Sequence, residues 1–249
     1  MYYYSLNEYL RKTFGEKVYK ISLNGGMICP NRDGTLSKKG CIFCSKGGSG
    51  EFSADKLLSV TEQIEQAKQK IKAKTDCKRF IAYFQPFTNT YAEVSYLRKI
   101  FYEAIDNPEI SVLSIATRPD CLGKDVLQLL DELNKIKPVW VELGLQTIHK
   151  ETSEYIRRCY ELEVFDEAVT NLKEIGVTVV THIILGLPFE TKEMMLESVK
   201  YAGERSDGIK IQLLHVLKDT DLLKDYHDGL FKAMSMEEYI DSLCDCIES

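Results

Sequence analysis

The chain has 249 residues, 44% hydrophobic and 28% charged, with a formal net charge of −6. That length and apolar content suffice for one sizeable core, nothing in the composition suggests disorder, and the acidic balance confines any nucleic-acid contact to a local patch. No apolar run reaches the length of a membrane span, and the opening MYYYSLNEYLRKTF lacks the basic-then-apolar order of a signal peptide, so the expectation is a cytoplasmic protein with no membrane partner.

In chain order, a β-like run YKISL (19–23) leads into the loop GGMICPNRDGTLSKKGCIFCSKGGSG (25–50). The stretch DKLLSVTEQIEQAKQKIKAK (55–74) follows with apolar residues at helical spacing and a lysine-rich, solvated face. FIAYFQ (80–85) then precedes AEVSYLRKIFYEAI (92–105), and VLSIAT (112–117) precedes KDVLQLLDELNKI (124–136). VWVELGLQ (139–146) is followed by a helical region from His149 to Ile175, broken near Arg158. VTVVTHIILGLP (177–188) comes before KEMMLESVKYAGER, and IKIQLLHVL (209–217) before a final helical region. Six strand-helix units without a long linker predict one α/β domain over residues 1–249 with a parallel sheet. In such a sheet the loops after the strand C-termini gather on one edge, which is where function belongs.

Eight cysteines in a chain with an ample core, in a reducing compartment, point to metal binding rather than to disulfides. Cys29, Cys41 and Cys44 fall in the glycine-rich loop with the spacing C-x11-C-x2-C, while Cys77, Cys121, Cys159, Cys244 and Cys246 read as structural or exposed thiols. One knuckle plus a single cysteine is short of a structural zinc set, so the spacing favours an iron-sulfur cluster with one open iron over zinc, and both over three unligated thiols. Glycines at 25, 26, 40, 47, 48 and 50 let backbone N–H groups approach a negatively charged group.

Other polar residues fall on the same edge. Glu142 and Gln146 share a strand face with Gly144, and a buried Glu142 needs a partner, for which Arg118 and Lys210 are structural candidates. Asp120 fits a helix cap, and Arg118 is free to grip a carboxylate through two hydrogen bonds. His182 is either a hydrogen-bonded core histidine or a functional one, and His215 and Lys218 lie near the end of the sixth strand. Arg32, Lys38, Lys39 and Lys46 form the best local basic group.

Taken together, the three-cysteine loop after the first strand, Phe43 just before the last cysteine and the run of β/α units resemble the radical S-adenosylmethionine (SAM) superfamily, over nearly the whole chain. CPNRDGTLSKKGCIFCSKGGSGEF and YFQPFTNTYA look like a bacterial subfamily that converts carboxymethylaminomethyl-uridine to aminomethyl-uridine at the tRNA wobble position. SIATRPDCL, VELGLQT and THIILGLP are similar to the radical domain of the Elongator catalytic subunit.

The resemblance implies a partial (β/α)6 TIM-like barrel, and a 4Fe-4S cluster ligated by Cys29, Cys41 and Cys44 that cleaves SAM to a 5'-deoxyadenosyl radical. It places Phe43 and Ile184 near adenine, Gly186 where it makes room for the cofactor, and ribose hydroxyls against Glu142, with Gln146 beside it. Gln85, Thr88, Asn89 and Thr90 occupy the place of the family's Gly-Gly-Glu element, which meets the methionine amine. Arg118 would bind the methionine or a substrate carboxylate, and His182 would act in catalysis. The implied partners are tRNA and an electron donor such as flavodoxin or ferredoxin. On the implied substrate, loss of hydrogen from a carbon beside the amine, loss of an electron and hydrolysis of the imine would leave aminomethyl-uridine. The alternatives are a radical enzyme acting on a small molecule and a non-catalytic iron-sulfur or zinc protein. Subfamily members continue past IDSLCDCIES, so the resemblance also implies a C-terminal extension beyond this sequence.

Overall fold

The computed structural model describes residues 3–48, 50, 53–72 and 76–249. Met1, Tyr2, Ser49 in the cysteine loop, Glu51, Phe52 and residues 73–75, where the first expected helix ends, lie outside the described residues.

Six strands, β1 (Val18–Leu23), β2 (Arg79–Phe84), β3 (Ile110–Thr117), β4 (Val139–Gln146), β5 (Thr178–Leu185) and β6 (Gly208–Leu213), stand in sequence order and pair in parallel throughout. The sheet curls into a half-barrel whose two edges are β1 and β6. Between the strands run α3 (Val60–Ile71), α4 (Val94–Ile105), α5 (Lys124–Asn134), the pair α6 (Lys150–Tyr155) and α7 (Leu162–Glu174), and α8 (Lys192–Arg205). After β6 come α9 (Asp221–His227) and α10 (Met236–Glu248). Two helices were not anticipated from the sequence: α1 (Leu6–Phe14) ahead of β1, and the single turn α2 (Pro30–Asp33) inside the cysteine loop.

Strand alternation builds the layers. Ile21, Phe84, Leu113, Val141 and Ile183 point outward and join one core with the apolar stripes of the helices, including Leu97, Phe101, Leu129 and Phe165. The opposite set faces the lumen of the half-barrel. At its lower end Val18, Ile81, Val112 and Trp140 pack with Leu10 of α1, and Tyr9 meets Trp140 edge-on at 5.9 Å between ring centroids. Helix α1 therefore plugs the bottom of the barrel, and burial of Leu10 alone contributes about 1.5–3 kcal/mol.

Helix starts follow local chemistry. Ser59 and Glu62 form a capping box at α3, Ser235 and Glu238 another at α10, and the Thr191 hydroxyl caps α8. The expected break near Arg158 separates α6 from α7, with Arg157 and Cys159 both at positive φ (59° and 62°). Arg158 turns back beneath the break, its guanidinium donating to the carbonyls of Leu145, Thr147 and Tyr160.

Candidate active site

The cysteine loop rises from β1. Cys29 is the N-cap of α2, and Pro30 occupies the first turn, where its missing N–H removes a donor that would lack a helical partner. The chain then returns to Cys41 and Cys44, joined in one turn by the Cys44 N–H donating to the Cys41 carbonyl at 3.0 Å. Arg32 braces the loop from inside, Nη2 donating to the carbonyls of Cys44 and Ser45, both at 2.6 Å. Gly40 admits that brace, since a Cβ there would stand 2.9 Å from Arg32 Nε. Arg32 is thus taken up by loop carbonyls, which corrects its expected place in a phosphate-binding patch; Lys38, Lys39 and Lys46 are exposed. Buried Asn31 ties the loop to the α6–α7 break, donating to the Arg157 carbonyl at 2.6 Å, and its Nδ2 lies 3.5 Å from Cys41 Sγ.

All three thiols open onto one cavity of about 260 Å³ at the top of the lumen, lined also by Phe43, Gln85, Arg118, Glu142, Gln146, His182 and Ile184. Two expected cofactor residues stand outside that lining. Asn89 is buried behind it, its Nδ2 donating to the carbonyls of Phe84 (3.1 Å) and Ala116 (2.9 Å), so it ties the ends of β2 and β3. Gly186, at φ 81°, faces Met234, whose Sδ lies 2.7 Å from where a Cβ would be; the space it frees is filled by this methionine. His215 lines the cavity, whereas Lys218 is exposed and does not.

Burial pushes the Cys41 thiol up to about 12, Cys44 adding to the rise and Arg118 opposing it. A thiolate set here therefore needs cationic charge brought into the cavity. Among the described residues no three His, Cys, Asp or Glu side chains gather as a cage for a single ion. Three sulfur donors around one cavity, with Arg118 acting on Cys41 and Cys29, fit an iron-sulfur cluster better than a closed zinc site.

Arg118 extends from the end of β3, and Asp120 grips it through two bonds, Nε to Oδ1 at 2.9 Å and Nη2 to Oδ2 at 2.6 Å. This corrects the cap assignment: Asp120 lies in the 3-10 turn Pro119–Cys121, and Gly123 is the N-cap of α5. The Arg118 guanidinium also lies 5.2 Å from the centroid of the Tyr160 ring, and Arg158 lies 4.5 Å from it. The Tyr160 hydroxyl in turn donates to the Gly144 carbonyl. A bulge at the end of β4 turns Gln146 to positive φ (65°) and brings its amide nitrogen 2.5 Å from where a Gly144 Cβ would lie, so the glycine leaves that space to the Gln146 amide.

Below the rim the lumen is charged. Glu142, 1% exposed, accepts from Lys20 Nζ (2.6 Å), Ser114 Oγ (2.5 Å) and His182 Nε2 (2.7 Å). Neither Arg118 nor Lys210, the two structural partners expected from sequence, makes this bond. Burial by itself would raise the Glu142 pKa; the His182 bond and the Lys20 charge outweigh it and hold the carboxyl well below the usual range. Burial lowers the His182 pKa, only partly offset by Glu142, so the imidazole is neutral at pH 7. A carboxylate only accepts, hence the neutral ring carries its proton on Nε2 and keeps Nδ1 as the basic nitrogen.

Lys20, Tyr83, Arg158, Tyr160 and Asn31 were missed by sequence reasoning. For Lys20 a signal existed: in VYKISL the alternation that sends Ile21 to the outer core sends Lys20 into the lumen.

A half-barrel of six β/α units with three loop cysteines over a polar lumen defines a class, and comparison with known proteins agrees. Residues 28–202 match the Radical SAM superfamily, and residues 206–249 match the Radical_SAM C-terminal domain. The chain belongs to the radical SAM superfamily and is a radical SAM enzyme. It is 43% identical over 247 residues to the uncharacterized protein YtqA of Bacillus subtilis (strain 168), covering 99% of this chain and 77% of that protein. It is 34% identical over 134 residues to the tRNA uridine(34) acetyltransferase of Methanocaldococcus jannaschii, 52% of this chain and 24% of that protein. Among solved structures, the archaeal Elp3 of Methanocaldococcus infernus, with an N-terminal deletion, superposes with a TM-score of 0.67 at 18% identity, covering 92% of this chain and 53% of that one. This chain thus spans about half the length of that structural relative and about three quarters of the bacterial one.

Proposed function

We propose that this chain binds a 4Fe-4S cluster through Cys29, Cys41 and Cys44, cleaves SAM reductively, and modifies the wobble uridine of tRNA, converting carboxymethylaminomethyl-uridine to aminomethyl-uridine. The observation that carries the reading is the shared cavity: three thiols at the rim open onto a lumen lined by ionised, hydrogen-bonded groups at the C-terminal ends of the strands. When bound, the cluster and SAM together supply a 5'-deoxyadenosyl radical, which abstracts hydrogen.

The chain's own residues bind, orient and shield. Arg118 places positive charge beside Cys41 and Cys29, while Asp120 fixes its orientation. Phe43, half-buried and packed with Ile42, Leu187 and Leu214, forms an apolar wall for the adenine together with Ile184. Gln85 and Gln146 offer amide groups to the polar parts of the cofactor, and the ionised Glu142 holds the His182 proton on Nε2. The imine would form at the carboxymethyl carbon, the hydrogen atom leaving as 5'-deoxyadenosine and the lost electron balancing the one that SAM cleavage consumes. Its hydrolysis would release glyoxylate and leave the primary amine, with the neutral Nδ1 of His182 as the base for that proton transfer. The tRNA part is supported by the likeness to a tRNA uridine(34) acetyltransferase over 52% of this chain. Exposed Lys38, Lys39 and Lys46 beside the rim suit a phosphate backbone, and a wobble base in an open loop is already partly unstacked. A flavodoxin or ferredoxin is the proposed electron donor, residues 1–249 the proposed single core domain, and the cytoplasm the proposed location.

The test is 5'-deoxyadenosine production by anaerobically reconstituted, reduced protein, with and without tRNA carrying carboxymethylaminomethyl-uridine, with the nucleosides followed by mass spectrometry. Stimulated cleavage together with aminomethyl-uridine is expected. Cleavage with unaltered tRNA would overturn the substrate and keep the cofactor reading. Cys41→Ala should abolish cluster absorption and turnover together, and retained 5'-deoxyadenosine formation by that variant refutes the ligand assignment.

A further inference from the structure

Each edge strand of the half-barrel carries one lysine facing the lumen, Lys20 on β1 and Lys210 on β6. Both ammonium groups lie against the same ring: the Nζ atoms are 4.4 Å (Lys20) and 5.4 Å (Lys210) from the Tyr83 centroid. A single carboxylate, that of Glu142, acts on both lysines but bonds only Lys20. Glu142 gives Oε1 to Lys20 and Ser114 and Oε2 to His182, so both its oxygens are engaged.

The guanidiniums lining the cavity are also engaged, Arg32 and Arg158 by backbone carbonyls and Arg118 by Asp120. Among the described residues no carboxylate lies within 4.0 Å of the Lys210 ammonium. Burial lowers the Lys210 pKa and Lys20 adds to this, with Glu142 opposing. An ammonium in such a place is costly until an anion joins it. Lys210 lies three residues below the end of β6, so the anion must arrive on a slender arm. A backbone phosphodiester, with chain on both sides, is poorly shaped for that depth, whereas a terminal carboxylate fits it.

We propose that Lys210, beside Lys20 and Tyr83 at the seam between the edge strands, is a specificity-determining residue that binds a terminal carboxylate of the substrate. This rests on the function proposed above, in which the arm removed from uridine ends in a carboxylate.

Two experiments separate this proposal from that reading. The first measures KM and kcat for wild type, Lys210→Gln and Lys210→Arg on tRNA carrying carboxymethylaminomethyl-uridine and on the same tRNA with that carboxylate methyl-esterified. Wild type should prefer the acid by about ten- to a hundredfold in kcat/KM, mainly through KM, as expected for a charge-assisted hydrogen bond. Lys210→Gln should treat acid and ester alike, and Lys210→Arg should keep most of the preference. An undiminished acid preference in Lys210→Gln overturns the assignment.

The second needs no turnover. Protein labelled with 13C at lysine Cε is titrated with glycine, glycine methyl ester and inorganic phosphate, the Lys210 signal being assigned by its loss in Lys210→Arg. A saturable shift with glycine and none with the ester is expected. No glycine shift, or a shift with phosphate alone, overturns the carboxylate site whatever the tRNA assay gives. A glycine shift beside unaltered tRNA leaves the site standing and sinks the tRNA reading instead.

Discussion

At the lower end of the lumen Val18, Ile81, Val112 and Trp140 close on Leu10 of α1, while two residues further along the same four strands stand Lys20, Tyr83, Ser114 and Glu142. Both sets come from the same alternation, and only the side chains differ. The lower set gains from exclusion of water and has no polar atom to satisfy apart from the indole N–H. The upper set keeps its charges only because each partner is in place, and it leaves one ammonium over. The lower end is therefore a stability element, and the upper end spends stability on a polar surface held ready for a ligand.

The largest effect expected from breaking this contrast is at the plug. Trp140→Ala should cost about 3–5 kcal/mol in urea denaturation through the lost burial and the cavity left behind, with 5'-deoxyadenosine formation per folded molecule unchanged. A comparable loss of turnover in the folded fraction would show that the two ends are not separable. Next, Glu142→Gln keeps the shape but removes the counter-charge of Lys20. Stability should fall by about 1–3 kcal/mol and turnover on tRNA should fall more steeply than stability explains. Equal stability and wild-type turnover would make the charged layer ornamental.

The smallest effect is in pH dependence. The Glu142 carboxyl is held below its ordinary 4.5, so its contribution is present above that value and is lost as pH falls through the folded-state value. His182 is held below its ordinary 6.5, so the unfolded chain takes up that proton first and stability falls as pH drops below 6.5. Each proton contributes a slope of at most about 1.4 kcal/mol per pH unit. Denaturation midpoints should fall toward acid in wild type and fall less steeply below pH 4.5 in Glu142→Gln; identical acid limbs would remove Glu142 from the account.

The strand-helix units were legible because period-two and helical patterns are local: β4 has the bounds read from sequence, and the other strands differ by a few residues at their ends. The cysteine loop was legible for the same reason. What escaped was partner choice between distant segments. Lys20 meets Glu142 across 122 positions and Asn31 meets Arg157 across 126, and no local pattern encodes either pairing. Asp120 looked like a cap because its neighbours allow one, yet the guanidinium two residues earlier is the stronger partner. Asn89 follows a strand like a ligand-facing residue, but the open ends of β2 and β3 needed a donor and took it. The role of helix α1 as a plug depends on Trp140, which lies far along the chain, and no local pattern in the opening segment encodes it.

The seam has one more consequence. A half-barrel ends in two unpaired strand edges, and such edges invite a foreign strand to extend the sheet. β1 and β6 each place a lysine mid-strand, turned toward the lumen. A strand added along β6 would bring its own backbone and side chains beside the Lys210 ammonium, which has no carboxylate within 4.0 Å among the described residues, and one added along β1 would crowd the Lys20–Glu142 pair. The residues poised for a ligand therefore also discourage edge-to-edge aggregation, so replacing both with apolar residues should make the protein stickier as well as less selective.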